Sequence, residues 1–256
     1  MATLAVEELA VDFGGVTALA GVTFQVRPGT ITSLIGPNGA GKTTAFNAIT
    51  GYLRPRAGRV TLDGAALGGL RPCDIAGRGV VRTFQKTSVF PGLSVRDNVM
   101  IGLHLRGRST LAGILAGRRA VAREEARLAE EAAALIAFVG LGHRDDERAS
   151  ALPYGEQRLV EVAVALAARP RLLLLDEPAA GMTGGEKDRL VELVRRVREG
   201  GVTVFLVEHD MRLVMGISDT VIVLNHGRVI AEGPPAAIQA HPDVIRAYLG
   251  STRARD

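Results

Sequence analysis

The sequence predicts an α/β fold with a mostly parallel sheet, and three observations predict it. Short β-like runs alternate with helical stretches, the rhythm of a parallel sheet whose crossovers are helices. Residues 172–175, 203–207 and 221–224 are almost uninterruptedly apolar, as strands covered on both faces must be. The run Gly36-Pro37-Asn38-Gly39-Ala40-Gly41-Lys42-Thr43 fits G-x-x-x-x-G-K-[ST] and lies between the apolar stretch 31–35 and the helix-like stretch 43–50. That is the strand–loop–helix setting a phosphate-binding loop requires.

Taken in order, β-like runs fall at 6–13, 22–26, 31–35, 59–63 and 80–84 before the three late runs. Residues 186–199 form a helix, with Leu190, Leu193, Val194 and Val197 recurring at helical spacing. Asn225-His226-Gly227 turns residues 221–224 back into 228–232 as a hairpin. Between 93 and 168 the alternation stops. There Leu128, Ala132, Leu135, Ile136 and Val139 share one helical face, and Arg123, Glu124, Arg127, Glu130 and Glu131 surround it. We expect 93–168 to be a helical lobe inserted in a core formed by 1–92 and 169–250, with 251–256 a frayed charged tail.

Composition excludes several classes. At 256 residues and 47% hydrophobic content the chain can bury a substantial core. No run approaches the length of a membrane-spanning helix, and the start, acidic early and lacking a basic segment, argues against a signal peptide. Cys73 is the single cysteine, which rules out an intrachain disulfide and fits a reducing cytoplasm. The five histidines show no metal-ligand spacing. Net charge is +4, and 28 of the 31 basic residues are arginine. They are scattered rather than gathered in a stripe, apart from a modest cluster at Arg106, Arg108, Arg118 and Arg119, so a nucleic-acid partner is not expected.

The chemistry lies in two places. Glycines at 36, 39 and 41 let the backbone turn tightly and aim N–H groups at phosphate oxygens, and the helix that follows adds its positive end. Lys42 would reach the β- and γ-phosphates, and the Thr43 hydroxyl would ligate Mg²⁺. Leu172-Leu173-Leu174-Leu175 then delivers Asp176 and Glu177 to a strand's carboxyl end, where ligands of such sheets gather. Asp176 can hold the metal while Glu177 aims at a water beyond the γ-phosphate. Phosphoanhydride cleavage needs little more than charge neutralisation and an in-line water. Gln85 at the end of run 80–84, His209 after run 203–207, and the helix opening Leu152-Pro153-Tyr154-Gly155-Glu156-Gln157-Arg158 add three further stations.

With these stations in place and in order, the chain resembles the ATP-binding-cassette ATPases over nearly its full length. The resemblance implies a P-loop NTPase core, an N-terminal antiparallel β part and an inserted helical subdomain. It implies that Lys42, Thr43 and Thr44 bind phosphates and Mg²⁺, that Gln85 contacts Mg²⁺ or the attacking water, and that Asp176 supports the metal. Glu177 is similar to the general base and His209 to the γ-phosphate sensor. Phe13 stands where the family stacks an aromatic on adenine, although a core phenylalanine is the competing reading. Gly155 and Glu156 open the signature helix, which faces the ATP of a partner chain. A guanine nucleotide is disfavoured, since no Asn-Lys-x-Asp motif occurs.

The stretches Glu208–Asp219, Pro178–Met182 and His241–Gly250 are similar to the ATPase subunits of branched-chain amino-acid importers. That resemblance implies a second cassette chain (identical or different), membrane permease subunits, an indirect link to a periplasmic or extracellular solute-binding protein, and a cytoplasmic location on the membrane's inner face. Thr87, Val89 and Phe90 beside Gln85 are candidates for docking a permease helix, with ordinary lobe packing as the alternative. Two positions depart from the broad family: Pro153 replaces the signature serine, and Thr183 replaces an aspartate that communicates across the dimer. Other readings are a related transporter with another cargo such as urea, amides or an exported lipid, a soluble scaffold, and a weakly hydrolysing switch.

Overall fold

Two β-systems organise the chain, which the computed structural model describes over residues 3–83, 89–104 and 118–250. Strands Leu4–Phe13 (β1) and Val16–Val26 (β2) pair antiparallel across the Gly14-Gly15 turn, and Ala57–Leu62 (β4) pairs with the other edge of β1. The two-residue strand Ala65–Ala66 (β5) completes a four-stranded sheet in the order β2-β1-β4-β5. The second sheet is six-stranded. It contains Ile31–Ile35 (β3), Val80–Arg82 (β6), Leu172–Asp176 (β7), Thr203–Val207 (β8), Thr220–Asn225 (β9) and Arg228–Gly233 (β10) in the order β10-β9-β3-β8-β7-β6. All its pairings are parallel except the β9–β10 hairpin.

Side-chain alternation along these strands explains their continuous apolarity. Leu34, Leu174, Phe205, Ile222 and Leu224 point into one core with Phe46 and Ile49 of the helix Lys42–Ile49 (α1). Ile35, Val221 and Val223 point into the other. That second core is closed by Val214 of Met211–Ile217 (α7), Ile238 of Pro235–Gln239 (α8) and Val244 of Pro242–Gly250 (α9). With both faces covered, every position pays to be apolar, and each fully buried Leu, Ile, Val or Phe contributes about 1.5–3 kcal/mol. The Phe205 ring centre lies 5.0 Å from Phe46 and 5.5 Å from Phe24, tilted in both pairs, so these three rings form the centre of the first core.

The chain divides into two compact units. One comprises Met1–Arg82, Arg171–Ala179 and Lys187–Asp256, and holds both sheets. The other comprises Thr83–Pro170 and Ala180–Glu186. Within the latter, Val95–His104 (α3) packs on Arg118–Phe138 (α4) and Tyr154–Ala167 (α5). Gly102 allows the approach of α3 to α5: a β-carbon there would lie 2.7 Å from the Val164 carbonyl oxygen and 2.9 Å from Ala167 Cβ. The expected stripe on α4 is buried at Leu128, Ala132 and Ile136, with Leu135 half-buried. Buried Asn98 ties down the preceding loop, accepting from the Phe90 amide and donating to the Phe90 and Ser94 carbonyls.

Several elements differ from the sequence expectation. β2 begins at Val16 rather than 22, because Gly21, at φ 73°, sits at an irregularity of the β1–β2 pairing opposite Glu8, at φ 48°, and reads in sequence as a break. The helix Pro72–Gly77 (α2) is too short to show periodicity and buries only Ile75. The helix Gly184–Glu199 (α6) starts before 186, with the Glu186 carboxylate accepting the Thr183 amide ahead of it. Run 80–84 is a strand only to Arg82, and Phe84 lies outside the described residues.

Candidate active site

The phosphate loop is built by the exit of β3 into α1. Gly36 passes against β9 so closely that a β-carbon would lie 2.1 Å from the Leu224 carbonyl oxygen, at φ 153°. No side chain fits there, which is the physical reason for glycine. Gly41 ends the loop at φ 104° and precedes Lys42 at the first helical position. The loop is also stitched to its surroundings: the Gly227 amide donates to the Ala40 carbonyl, and the Ala20 amide donates to the Gly227 carbonyl. No acidic side chain occupies the first turn of α1, leaving its positive end uncompensated by its own sequence.

Lys42 is 9% exposed, and its Nζ donates to the carbonyls of Gly36 at 2.7 Å and Pro37 at 3.0 Å. Burial pushes the ammonium below the usual lysine range, and the nearby charges of Glu177 and Asp176 partly restore it. β3 and β7 flank β8 in parallel, so the loop after β3 with Lys42 and the end of β7 with Asp176 and Glu177 lie at the same carboxyl edge of the sheet, although they come from two distant segments of chain. Asn38 and Gly39 are exposed at the loop's tip, while within α1 Thr43 is exposed and Thr44 half-buried. Pro37 is half-buried and Ala40 is buried.

Asp176 ends β7 beside β8, pairing in register with Val207, and Glu177 follows it. The Glu177 amide donates to the Val207 carbonyl at 2.9 Å, and Glu177 then takes φ 47°, a left-handed conformation uncommon for a side chain of its size. Asp176 is 4% exposed, and its Oδ2 accepts from Arg82 at 2.6 Å. The same guanidinium donates to Asn47 Oδ1 at 2.7 Å and Thr50 Oγ1 at 3.3 Å, and lies over the Phe46 ring. Arg82 thus joins the carboxylate strand to the helix of the phosphate loop. The sequence analysis did not single it out, since an arginine among 28 carries no signal by itself.

His209 follows β8 with its side chain 62% exposed, and Asp210 caps α7 through the Arg212 and Leu213 amides. Lys187 donates to Asp210 at 2.7 Å; that bond, followed by the Leu213 amide, holds the carboxyl below the ordinary aspartate range. Phe13 is 51% exposed at the hairpin tip beside Val16, so it is not a core phenylalanine. β2, the other arm of that hairpin, reaches the phosphate loop: a β-carbon on Gly41 would meet Ala18 O at 2.8 Å and Leu19 Cδ2 at 2.7 Å. Tyr248 of α9 is hydrogen-bonded to the Gly36 backbone, and burial pushes its phenol up to about 12.

The signature segment is placed within the other unit. Pro153 precedes α5 in extended conformation, where the absence of an N–H has no helical bond to break. Tyr154 is exposed, whereas Gly155 is buried, with Glu186 so close that a β-carbon would approach it to 2.3 Å. Glu156 is turned toward Arg144 at 3.2 Å. Thr183 donates its amide and its hydroxyl to Glu186 Oε2, both at 2.8 Å, the Glu-to-backbone half of a capping box at the start of α6. Gln85 and Thr87 lie outside the described residues, as does the 251–256 tail.

The donors near the loop suit a small hard dication: a hydroxyl on Thr43 and a carboxylate on Asp176. Among the described residues no three His, Cys, Asp or Glu side chains form a cage. Such a cage is unnecessary for Mg²⁺, which keeps waters and takes phosphate oxygens.

A glycine-bent loop entering a helix, a buried lysine and two carboxylates at a parallel sheet's edge define the P-loop nucleotide-binding class. More narrowly, the chain belongs to the ABC transporter family, whose model matches residues 19–180. A second model, described as branched-chain amino acid ATP-binding cassette transporter, matches residues 228–254. The chain is 43% identical over 248 residues to the high-affinity branched-chain amino acid transport ATP-binding protein BraF of Pseudomonas aeruginosa, covering 96% of this chain and 97% of that one. It is 42% identical to the LivG protein of Escherichia coli over the same shares of each chain. A solved nucleotide-free cassette of an ABC transporter superposes with a TM-score of 0.85 at 32% identity, covering 97% of this chain and 99% of that one. The ADP conformation of a cassette does so with 0.86 at 32%, covering 98% and 99%. The chain is therefore an ATP-binding protein with the ABC ATPase fold.

Proposed function

We propose that this chain is the ATP-hydrolysing subunit of a branched-chain amino-acid importer. The observation that carries the chemistry is that Lys42, after β3, and Asp176 and Glu177, at the end of β7, lie at the same carboxyl edge of the parallel sheet, on either side of β8. Cargo is supported by the full-length similarity to BraF and LivG and by the match at 228–254. In the proposed reaction Lys42, the loop amides and Thr44 hold the triphosphate, and Phe13 supplies an exposed aromatic face for adenine. Thr43 and Asp176 would hold Mg²⁺, which when bound neutralises charge on the phosphate oxygens. Glu177 orients a water and takes its proton. The water oxygen bonds to the γ-phosphorus, and the bond to the bridging oxygen breaks, its electron pair leaving on ADP. His209 senses the γ-phosphate. Gln85, on the sequence alone, is assigned to the metal or the water.

The helical unit is proposed as the inserted subdomain. Its Gly155 and Glu156 lie at the start of a helix whose amides serve the ATP of a second cassette chain, so that nucleotide closes a two-chain sandwich. We place the chain at the inner membrane face through permease subunits, which a solute-binding protein supplies; no described helix is long and apolar enough to cross a membrane. Replacing Lys42 by alanine tests the reading. A fluorescent ATP analogue should bind at least about ten-fold more weakly to the variant, the equivalent of about 1.4 kcal/mol. Unchanged affinity would remove the phosphate-loop assignment.

A further inference from the structure

We infer that Glu208 is a positioning residue for hydrolysis, holding the loop behind Glu177 and the backbone of His209 to one carboxylate. The inference rests on the proposed roles of those two residues. Glu208 is 1% exposed at the end of β8, directly beside the end of β7. Its Oε1 accepts from the Ala179 amide at 2.8 Å, and its Oε2 accepts from the His209 amide at 3.1 Å. The two donors belong to different loops, one leaving each strand.

The side-chain type matters. Two separate backbone donors aimed at two oxygens require a carboxylate, because an amide has one acceptor and would oppose the second N–H with its own. A buried carboxylate is costly unless it receives such bonds, so a residue that merely filled space would be apolar. Glu177 stands two residues before Ala179 at φ 47°, a conformation that persists only when its surroundings over-determine it. The Val207 carbonyl fixes Glu177 from one side, and Glu208 fixes the chain just beyond it. The base and the γ-phosphate sensor are thereby held to a common anchor through the backbone that flanks them.

The test uses the full-length chain purified with its membrane subunits. Glu208→Gln should lower kcat for ATP at least ten-fold with KM changed less than three-fold and the melting temperature little changed. Hydrogen exchange in the peptide spanning 178–183 should quicken, while the 203–207 strand stays protected. Combined with Glu177→Gln it should cost no further rate, since a residue acting through Glu177 has nothing left to position. Should the glutamine variant not fold, Glu208→Asp, which keeps the charge but shortens the reach, must show the same split. Wild-type turnover in the folded variant, or a full multiplicative loss in the Glu177→Gln background, overturns the proposal. Glu177→Gln alone judges the base separately: undiminished turnover in it sinks that assignment, whatever Glu208 does.

Discussion

At the scale of single residues, Arg82 and Glu177 carry the most consequence. The Arg82 and Asp176 side chains are 6% and 5% exposed, so removing either partner strands a charge in the interior. Arg82→Ala should therefore cost about 3–5 kcal/mol, far above the 0–1 kcal/mol of an exposed ion pair. Urea unfolding of the variant should read a loss of that size; a loss below about 1 kcal/mol would contradict the burial. Glu177→Gln should reduce hydrolysis by about 10²–10⁴-fold, the range of a general base, while ATP binding persists. Phosphate release beside nucleotide binding on one sample separates these effects. The motif residues of this site were legible in sequence because their chemistry demands fixed spacing. Arg82 and Glu208 were not, since their meaning comes from neighbours 94 and 29 residues away.

Individual elements separate local preference from packing. Gly102 lies within α3, where alanine would ordinarily gain about 1 kcal/mol in helix propensity. Here the new β-carbon would press on α5 backbone at 2.7 Å, and overpacking costs about 1–3 kcal/mol. Gly102→Ala should therefore lower the melting temperature instead of raising it. At α7, Asp210→Ala should cost about 1 kcal/mol near neutral pH through the lost cap. Because its folded carboxyl is held low, that stabilisation is fully present above the unfolded value of about 3.9 and is lost as pH falls through the lowered one. The gap between variant and parent in urea midpoints should thus narrow as pH falls below about 4. Apolar runs announced β3, β7, β8 and β9 because both faces are buried. The first half of β2 hid behind Gly21, and α2 is too short to show a period.

For the whole molecule, one phosphate loop and one signature helix per chain make nucleotide a reagent of association in the proposed reading. A Glu177→Gln protein loaded with Mg-ATP, with its membrane subunits or alone, should elute as a pair of cassette chains and revert when ADP replaces ATP. Elution as single chains under every nucleotide condition would break the sandwich proposal. The α/β fold and its parallel sheet could be anticipated from pattern, since they rest on periodicity and on a spacing rule. The cargo could not, because no motif in the chain is tied by its chemistry to a particular solute; that reading rests on similarity alone.

The lone thiol offers a practical return. Cys73 is exposed on α2, and the sequence contains no other sulfhydryl to compete for a maleimide dye. Each polypeptide can be marked once, at a known address, without altering a single codon. Energy transfer between two such marks would then read the spacing of paired copies directly, turning stoichiometry into a ruler.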